Sequence, residues 1–365
     1  MKKVPFNDLS RIHEPIHEKV FSKFSDVVRE NRFVLNKEIR EFELLFSDFV
    51  NSKYTVSCSS GTDALELILR ALDIGKKDEV ILPTNTFIAT ALAVTRCGAL
   101  PVFVDNDEFY LINPQEVEKK ITKKTKAIIA VNLYGQLANL KELNKISKRN
   151  SLYLIEDSAQ SHGASNDSFS KNYSVAAAYS FYPGKNLGAW GDGGAVTTNN
   201  KKLYEKIIML RNWGSVKKYY HEEKGFNSRL QPLQGVVLSE KVKKLSSWNK
   251  QRNSIAQKYL RFLGDNEKID LPKIRDGNYH VWHLFVIRIK NRNKILKDFD
   301  SHKVEFGIHY PVPIHRQNAY KEHKQFGSSI ALADEYSNQL LSLPIFPKMQ
   351  DQEIERVVET ITEYS

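Results

Sequence analysis

Lys185 stands in Ser180-Phe181-Tyr182-Pro183-Gly184-Lys185-Asn186-Leu187-Gly188, an aromatic and apolar stretch bent by Pro and Gly. Desolvation disfavours an ammonium ion, so an amine in such surroundings is a good nucleophile and suits Schiff-base chemistry. The alternative is an exposed loop lysine, common in a lysine-rich chain, and the apolar neighbours argue against it. A P-loop fails twice: Tyr179 stands where that motif needs Gly, and Asn186 where it needs Ser or Thr. Asp157 ends the apolar run Leu154-Ile155-Glu156-Asp157. Open α/β sheets bind ligands beyond the carboxyl ends of their strands. A carboxylate there can face a cationic ring nitrogen or a metal, or simply cap the next turn. His162 is a possible base, but a loop histidine with a structural hydrogen bond is the simpler reading.

Cys58-Ser59-Ser60-Gly61-Thr62-Asp63 precedes an apolar-periodic helix. Ser60 and Asp63 have capping-box spacing, with Asp in place of the usual Glu or Gln. The free amides and dipole of a helix start attract anions, although a well-capped helix alone explains the pattern. Gly191-Asp192-Gly193-Gly194 begins like a dinucleotide fingerprint, but Val196 occupies the third glycine position and a strand follows, so it reads as a tight turn. Asn212-Trp213-Gly214-Ser215-Val216-Lys217-Lys218-Tyr219-Tyr220-His221 sets lysines beside aromatic rings, ahead of Gly225-Phe226-Asn227-Ser228-Arg229. That mixture suits a phosphate carrying a base or sugar, or a solvated loop.

Alternating elements must position these residues. Strands are expected at 80–83, 101–105, 127–132, 152–157, 175–181 and 194–198, with helices at 62–72, 86–96, 114–121, 140–148 and 201–211. This alternation implies a parallel or mixed sheet covered on both faces. From about residue 240 the pattern changes to a long or broken helix (234–262), a strand (282–289) and a mixed segment (307–314). Two tightly packed domains, 1–240 and 241–365, are the simplest account.

The 365 residues are 41% hydrophobic and 27% charged, an ordinary globular balance that excludes a mostly disordered chain. The net charge of +11 favours anionic partners without choosing among them. The basic residues are scattered and form no helix-turn-helix or zinc pattern, which weighs against a nucleic-acid-binding regulator. Cys58 and Cys97 make neither a disulfide framework nor a metal motif. No run approaches the length of a membrane span, and the start lacks a secretory pattern, so a cytoplasmic protein is expected.

The order and spacing of these motifs resemble the sugar aminotransferases of the DegT/DnrJ/EryC1/StrS family, which use pyridoxal 5'-phosphate (PLP). The resemblance runs from Val4-Pro5-Phe6 to Leu343-Pro344-Ile345-Phe346-Pro347, and the segment around Lys185 is its most diagnostic part. It implies the α/β fold of aspartate aminotransferase (PLP fold type I), with a large mixed-sheet domain, a smaller C-terminal α+β domain, and active sites shared in a homodimer. It implies that Lys185 is the Schiff-base lysine, Asp157 faces the pyridine nitrogen, Gln160 lies near the ring hydroxyl, and Phe87 stacks on the ring. Gly61, Thr62, Asp63 and Ser180 would hold the phosphate, with Asn227 reaching it from the other protomer. No metal is implied.

Glutamate is the implied amino donor and a nucleotide-linked keto-sugar the acceptor. The stretches 211–229 and 307–315 resemble members that aminate carbon 3 of a 3-keto-6-deoxyhexose, with a dTDP-linked sugar expected. Tyr182, His309 and Tyr310 would then touch the sugar, and Lys217 or Lys218 the diphosphate. The remaining alternatives are a carbon-4 aminotransferase, a PLP-dependent sugar dehydratase and a scaffold without turnover. Relatives that deoxygenate sugars carry His at the lysine position, so Lys185 favours transamination. Members often read Leu-Asp-Glu-x-Gln where this chain has Leu230-Gln231-Pro232-Leu233-Gln234; Pro232 suits a first helical turn.

Overall fold

In a computed structural model that describes residues 2–166, 173–321 and 330–363, eight strands occupy the first two hundred residues. They are β1 (Tyr54–Cys58), β2 (Glu79–Pro83), β3 (Leu100–Val104), β4 (Thr125–Val131), β5 (Tyr153–Asp157), β6 (Ser165–Asn166), β7 (Ala176–Ser180) and β8 (Gly194–Thr198). Seven of them form one sheet in the order β1-β8-β7-β5-β4-β2-β3. The β3-β2-β4-β5-β7 block is parallel, whereas β8 runs antiparallel to β7 and β1 antiparallel to β8. The sheet is therefore mixed.

Helices Gly61–Ala71, Ala89–Arg96, Pro114–Lys119, Leu140–Arg149 and Lys201–Arg211 connect or follow these strands. Helix Gly61–Ala71 has only 11 residues, too few to be stable alone in water. It buries Leu65, Leu67, Ile68 and Leu69, and each fully buried side chain of this kind contributes about 1.5–3 kcal/mol, so packing holds the helix. The helix expected at 86–96 starts at Ala89 instead, because 84–88 is the loop that turns from β2 into the site. β1 was not expected. Its Thr55 and Ser57 are polar yet buried: the Ser57 N–H and hydroxyl both donate to Glu43, and Arg211 donates to the Ser57 carbonyl.

Further on lie a hairpin of β9 (Ser215–Lys217) and β10 (Tyr220–His221), then β11 (Ile269–Asp270), β12 (Asn278–Tyr279), β13 (Phe285–Ile289) and β14 (Leu340–Leu343). β11, β13 and β14 make a small antiparallel sheet, and β12 pairs with β6. The long helix is unbroken from Pro232 to Leu263, with Pro232 in its first turn. Its Leu238, Val242 and Leu245 pack with Phe42, Phe46 and Phe181; its Ile255, Tyr259 and Leu263 pack with Phe285, Leu341 and Phe346. Residue 240 thus lies inside a continuous helix that serves two cores. The amino terminus joins the second of them, through Val4 bridged to Val304. Among the described residues no helix is long and apolar enough to cross a membrane.

Candidate active site

A cavity of about 750 Å³ opens at the carboxyl ends of β5 and β7, and Phe6, Asn7 and Leu9 close it from the amino-terminal side. Lys185 and Asp157 both line it. The Lys185 loop is fixed at several points. The Lys185 N–H donates to the Tyr182 carbonyl (2.9 Å), forming a turn, and the Ala189 N–H to the Phe181 carbonyl (2.8 Å). The buried Asn186 side chain donates to Asn249 Oδ1 (3.0 Å) on the long helix and to the Val281 carbonyl (2.9 Å). Lys241 on that helix donates to the Gly188 carbonyl. Burial lowers the Lys185 amine to about 8, against the opposing pull of Asp157.

Asp157 is 6% exposed. Thr90 Oγ1 donates to its Oδ2 (2.8 Å) and the Ala159 N–H to its Oδ1 (3.2 Å). Burial raises its pKa above the ordinary carboxylate value, and those two donors and the Lys185 charge only partly offset this. A cationic ring nitrogen opposite it would favour the ionised form.

Gly61, Thr62 and Ser180 form another part of the wall. The first amides of a helix have no acceptor within it, so those of Gly61 and Thr62 are available to an anion. The Asp63 amide is already used by Ser60 Oγ (3.1 Å). A Cβ on Gly61 would stand 2.7 Å from Ser180 Cβ, so glycine is what lets the helix start approach β7. These residues fit PLP: the Gly61 and Thr62 amides could hold its phosphate, the Lys185 amine could condense with its aldehyde, and the Asp157 carboxylate could pair with its ring nitrogen.

Phe87, Tyr182, His309, Tyr310 and Gln160 also line the cavity. The Phe87 and Tyr310 rings are 5.8 Å apart, and Gln160 Nε2 donates to the Tyr310 hydroxyl (3.2 Å). His309 is hydrogen-bonded through Nδ1 to Ser342 Oγ (2.8 Å) and stacks on Phe6. Burial and then the Lys185 charge lower its pKa to about 4, leaving it neutral near pH 7.

Five residues named from the sequence are not in this cavity. The Asp63 carboxylate is turned to the hydroxyls of Ser59 and Ser228 and to Arg96. Lys217 and Lys218 lie with Trp213 and Arg229 around a second, open cavity of about 580 Å³. Asn227 is exposed and bridges Asn212 beside it. His162 is fully buried against the Tyr179 and Phe181 rings. Among the described residues no group of three or more His, Cys, Asp or Glu side chains could hold a metal ion.

Sequence reasoning missed Asn7, Thr90 and His283 as lining residues. His283 Nδ1–H donates to Asn186 Oδ1 (3.2 Å), a contact across 97 positions that no local pattern announces.

Comparison with known proteins places the chain in a family. The chain is 44% identical over 363 residues to the dTDP-3-amino-3,6-dideoxy-alpha-D-galactopyranose transaminase of Aneurinibacillus thermoaerophilus, covering 99% of both chains. Its fold is similar to that of DesV from S. venezuelae, with a TM-score of 0.96 and 39% identity, over 100% of this chain and 99% of that one. It is also similar to NtdA from Bacillus subtilis, solved with bound cofactor PMP, with a TM-score of 0.93 and 31% identity, over 100% of this chain and 85% of that one. With residues 14–362 matching the family as a whole, the chain belongs to the DegT/DnrJ/EryC1/StrS aminotransferase family.

Proposed function

We propose that the chain is a PLP-dependent aminotransferase that moves the amino group of glutamate to carbon 3 of a dTDP-linked 3-keto-6-deoxyhexose. The observation that carries this reading is the Lys185 amine and the Asp157 carboxylate facing one cavity beside a free helix start. When bound there, PLP supplies an electron sink for the charge left as a proton leaves the amino carbon. Lys185 Nζ holds the cofactor, and once a donor amine displaces it, that nitrogen takes and returns the proton. Asp157 keeps the ring nitrogen protonated. The amides of Gly61 and Thr62 and the Ser180 hydroxyl hold the phosphate, Phe87 covers the ring, and Gln160 offers its second N–H to the ring hydroxyl. Tyr182, His309 and Tyr310 meet the sugar.

The β9-β10 hairpin and Asn227 serve a neighbouring protomer in this reading. Their exposure and separation from the same chain's cavity support a homodimer with shared sites, in which Asn227 meets the phosphate and Lys217 or Lys218 the diphosphate. The long helix is then the element common to a large lobe, 1–240, and a smaller one, 241–365. Two buried free thiols suit a reducing cytoplasm.

Absorption spectroscopy tests the function. Purified protein with PLP should show a visible band that glutamate bleaches and a dTDP-3-keto-6-deoxyhexose restores. A band indifferent to glutamate would remove the donor, and restoration by 4-keto-sugars alone would move the reaction to carbon 4.

Sharing predicts complementation. Asn227→Ala should retain PLP less well, and mixing it with Lys185→Ala should recover activity, because each heterodimer has one site with both residues intact. Verified heterodimers without recovered activity would argue for independent sites.

A further inference from the structure

We propose that Tyr134 is the positioning residue of the sugar subsite, fixing His309 and Tyr310 through a closed ring of hydrogen bonds that also passes through Gln160. The inference rests on the functional reading above, since it concerns the segment assigned there to the acceptor.

Tyr134 follows β4, and its φ of 60° lies in the left-handed region. That region is disfavoured for a bulky L residue and persists only where the surroundings impose it. Here they do. The Leu284 N–H donates to the Tyr134 carbonyl (3.2 Å) and the Val281 N–H to the Gly135 carbonyl (2.8 Å). Gly135 has a φ of 118°, and a Cβ there would stand 2.9 Å from the backbone nitrogens of Trp282 and His283. The turn is clamped between β4 and the 281–284 segment.

This kink aims two donors of one residue at two different partners. The Tyr134 N–H donates to Gln160 Oε1 (2.7 Å), and the Tyr134 hydroxyl donates to the His309 carbonyl. Gln160 Nε2 completes the ring by donating to the Tyr310 hydroxyl. An amide N–H can only donate, so it fixes which end of the Gln160 side chain is oxygen. The nitrogen end is thereby held toward Tyr310 with one N–H to spare. Tyr134 is buried against the Tyr110 ring and does not itself line the cavity, so it acts through others. Burial holds its phenol well above the usual range, so the hydroxyl remains a donor near neutral pH. The His309 ring is held separately, by Ser342 and Phe6. With the carbonyl pinned by Tyr134, neither end of that residue is free to shift when a sugar arrives.

Tyr134→Phe separates the two bonds. It keeps the ring, the packing and the amide bond to Gln160, and removes only the donor to His309. The PLP band and its bleaching by glutamate should change less than about twofold, while kcat/KM for the dTDP-3-keto-6-deoxyhexose falls about tenfold, the expected result of leaving a carbonyl unpaired. In a Tyr310→Phe background the same substitution should cost much less, because coupled residues are not additive. Equal losses for glutamate and keto-sugar, full additivity with Tyr310→Phe, or a variant that melts or loses the PLP band would each overturn the proposal in favour of a packing role. Wild-type protein run alongside separates the two readings. If its PLP band ignores glutamate and keto-sugar, the aminotransferase reading fails and takes this one with it. If it responds and Tyr134→Phe matches it, only the positioning role fails.

Discussion

Lys185→Ala should lower turnover at least ~10⁴-fold, because it removes both the covalent attachment and the base. The visible band of bound PLP should vanish with it. Lys185→Arg should be as inactive, since a guanidinium keeps the charge but neither condenses with an aldehyde nor gives up its proton near neutral pH. The lowered pKa adds a dependence that activity alone would not show. At a pKa of about 8 roughly a tenth of the amine is neutral at pH 7, against about 0.03% for an ordinary lysine near 10.5. Capture of PLP by the cofactor-free protein needs the neutral amine. The capture rate should therefore climb with pH, bend near pH 8 and level off. A rate still rising tenfold per pH unit above about pH 9 would mean an unperturbed lysine. Multiple turnover near the wild-type rate in Lys185→Ala would end the assignment.

The loop carrying Lys185 was legible because its chemistry is local: one amine, aromatic neighbours, Pro and Gly at the bends. Asp157 was legible for a similar reason, since a carboxylate closing an apolar run marks a strand end. β2 to β5 were legible as compact apolar runs between helices. β1 was not, because a buried strand carrying Thr and Ser depends on partners elsewhere, here Glu43 and Arg211. Thr90 reaches Asp157 across 67 positions and Tyr134 reaches His309 across 175, so neither role has a signature in any short window. Asp63 shows the opposite error. The helix start does offer amides to an anion, but a carboxylate would repel a phosphate, and three partners turn it aside. For Asn227 the resemblance assigns a role across a subunit boundary, which no spacing within one chain expresses.

Asp157→Asn is the substitution that divides charge from shape at the other end of the cofactor. Asparagine occupies nearly the same volume, and its Oδ1 can still accept from Thr90, so the fold and the PLP cradle should survive. Because Asp157 is buried and its carboxyl is raised by desolvation, removing its charge also removes a cost of burial. The cofactor-free variant should melt no lower than the wild type. PLP should bind within about tenfold of normal, since the phosphate and Lys185 contacts remain. Proton removal is different, because a neutral amide cannot keep the ring nitrogen protonated, and the electron sink weakens at the step that needs it. The bleaching rate with saturating glutamate should fall by about 10²–10³-fold, comparable to losing one electrostatic contact aimed at the transition state. A second consequence has a definite sign. The Asp157 charge holds the Lys185 pKa up, so the midpoint for PLP capture in Asp157→Asn should move below its wild-type position near 8. An unchanged bleaching rate would strip Asp157 of its role at the ring nitrogen. An unchanged capture midpoint would show that the two side chains face the cavity without sensing each other.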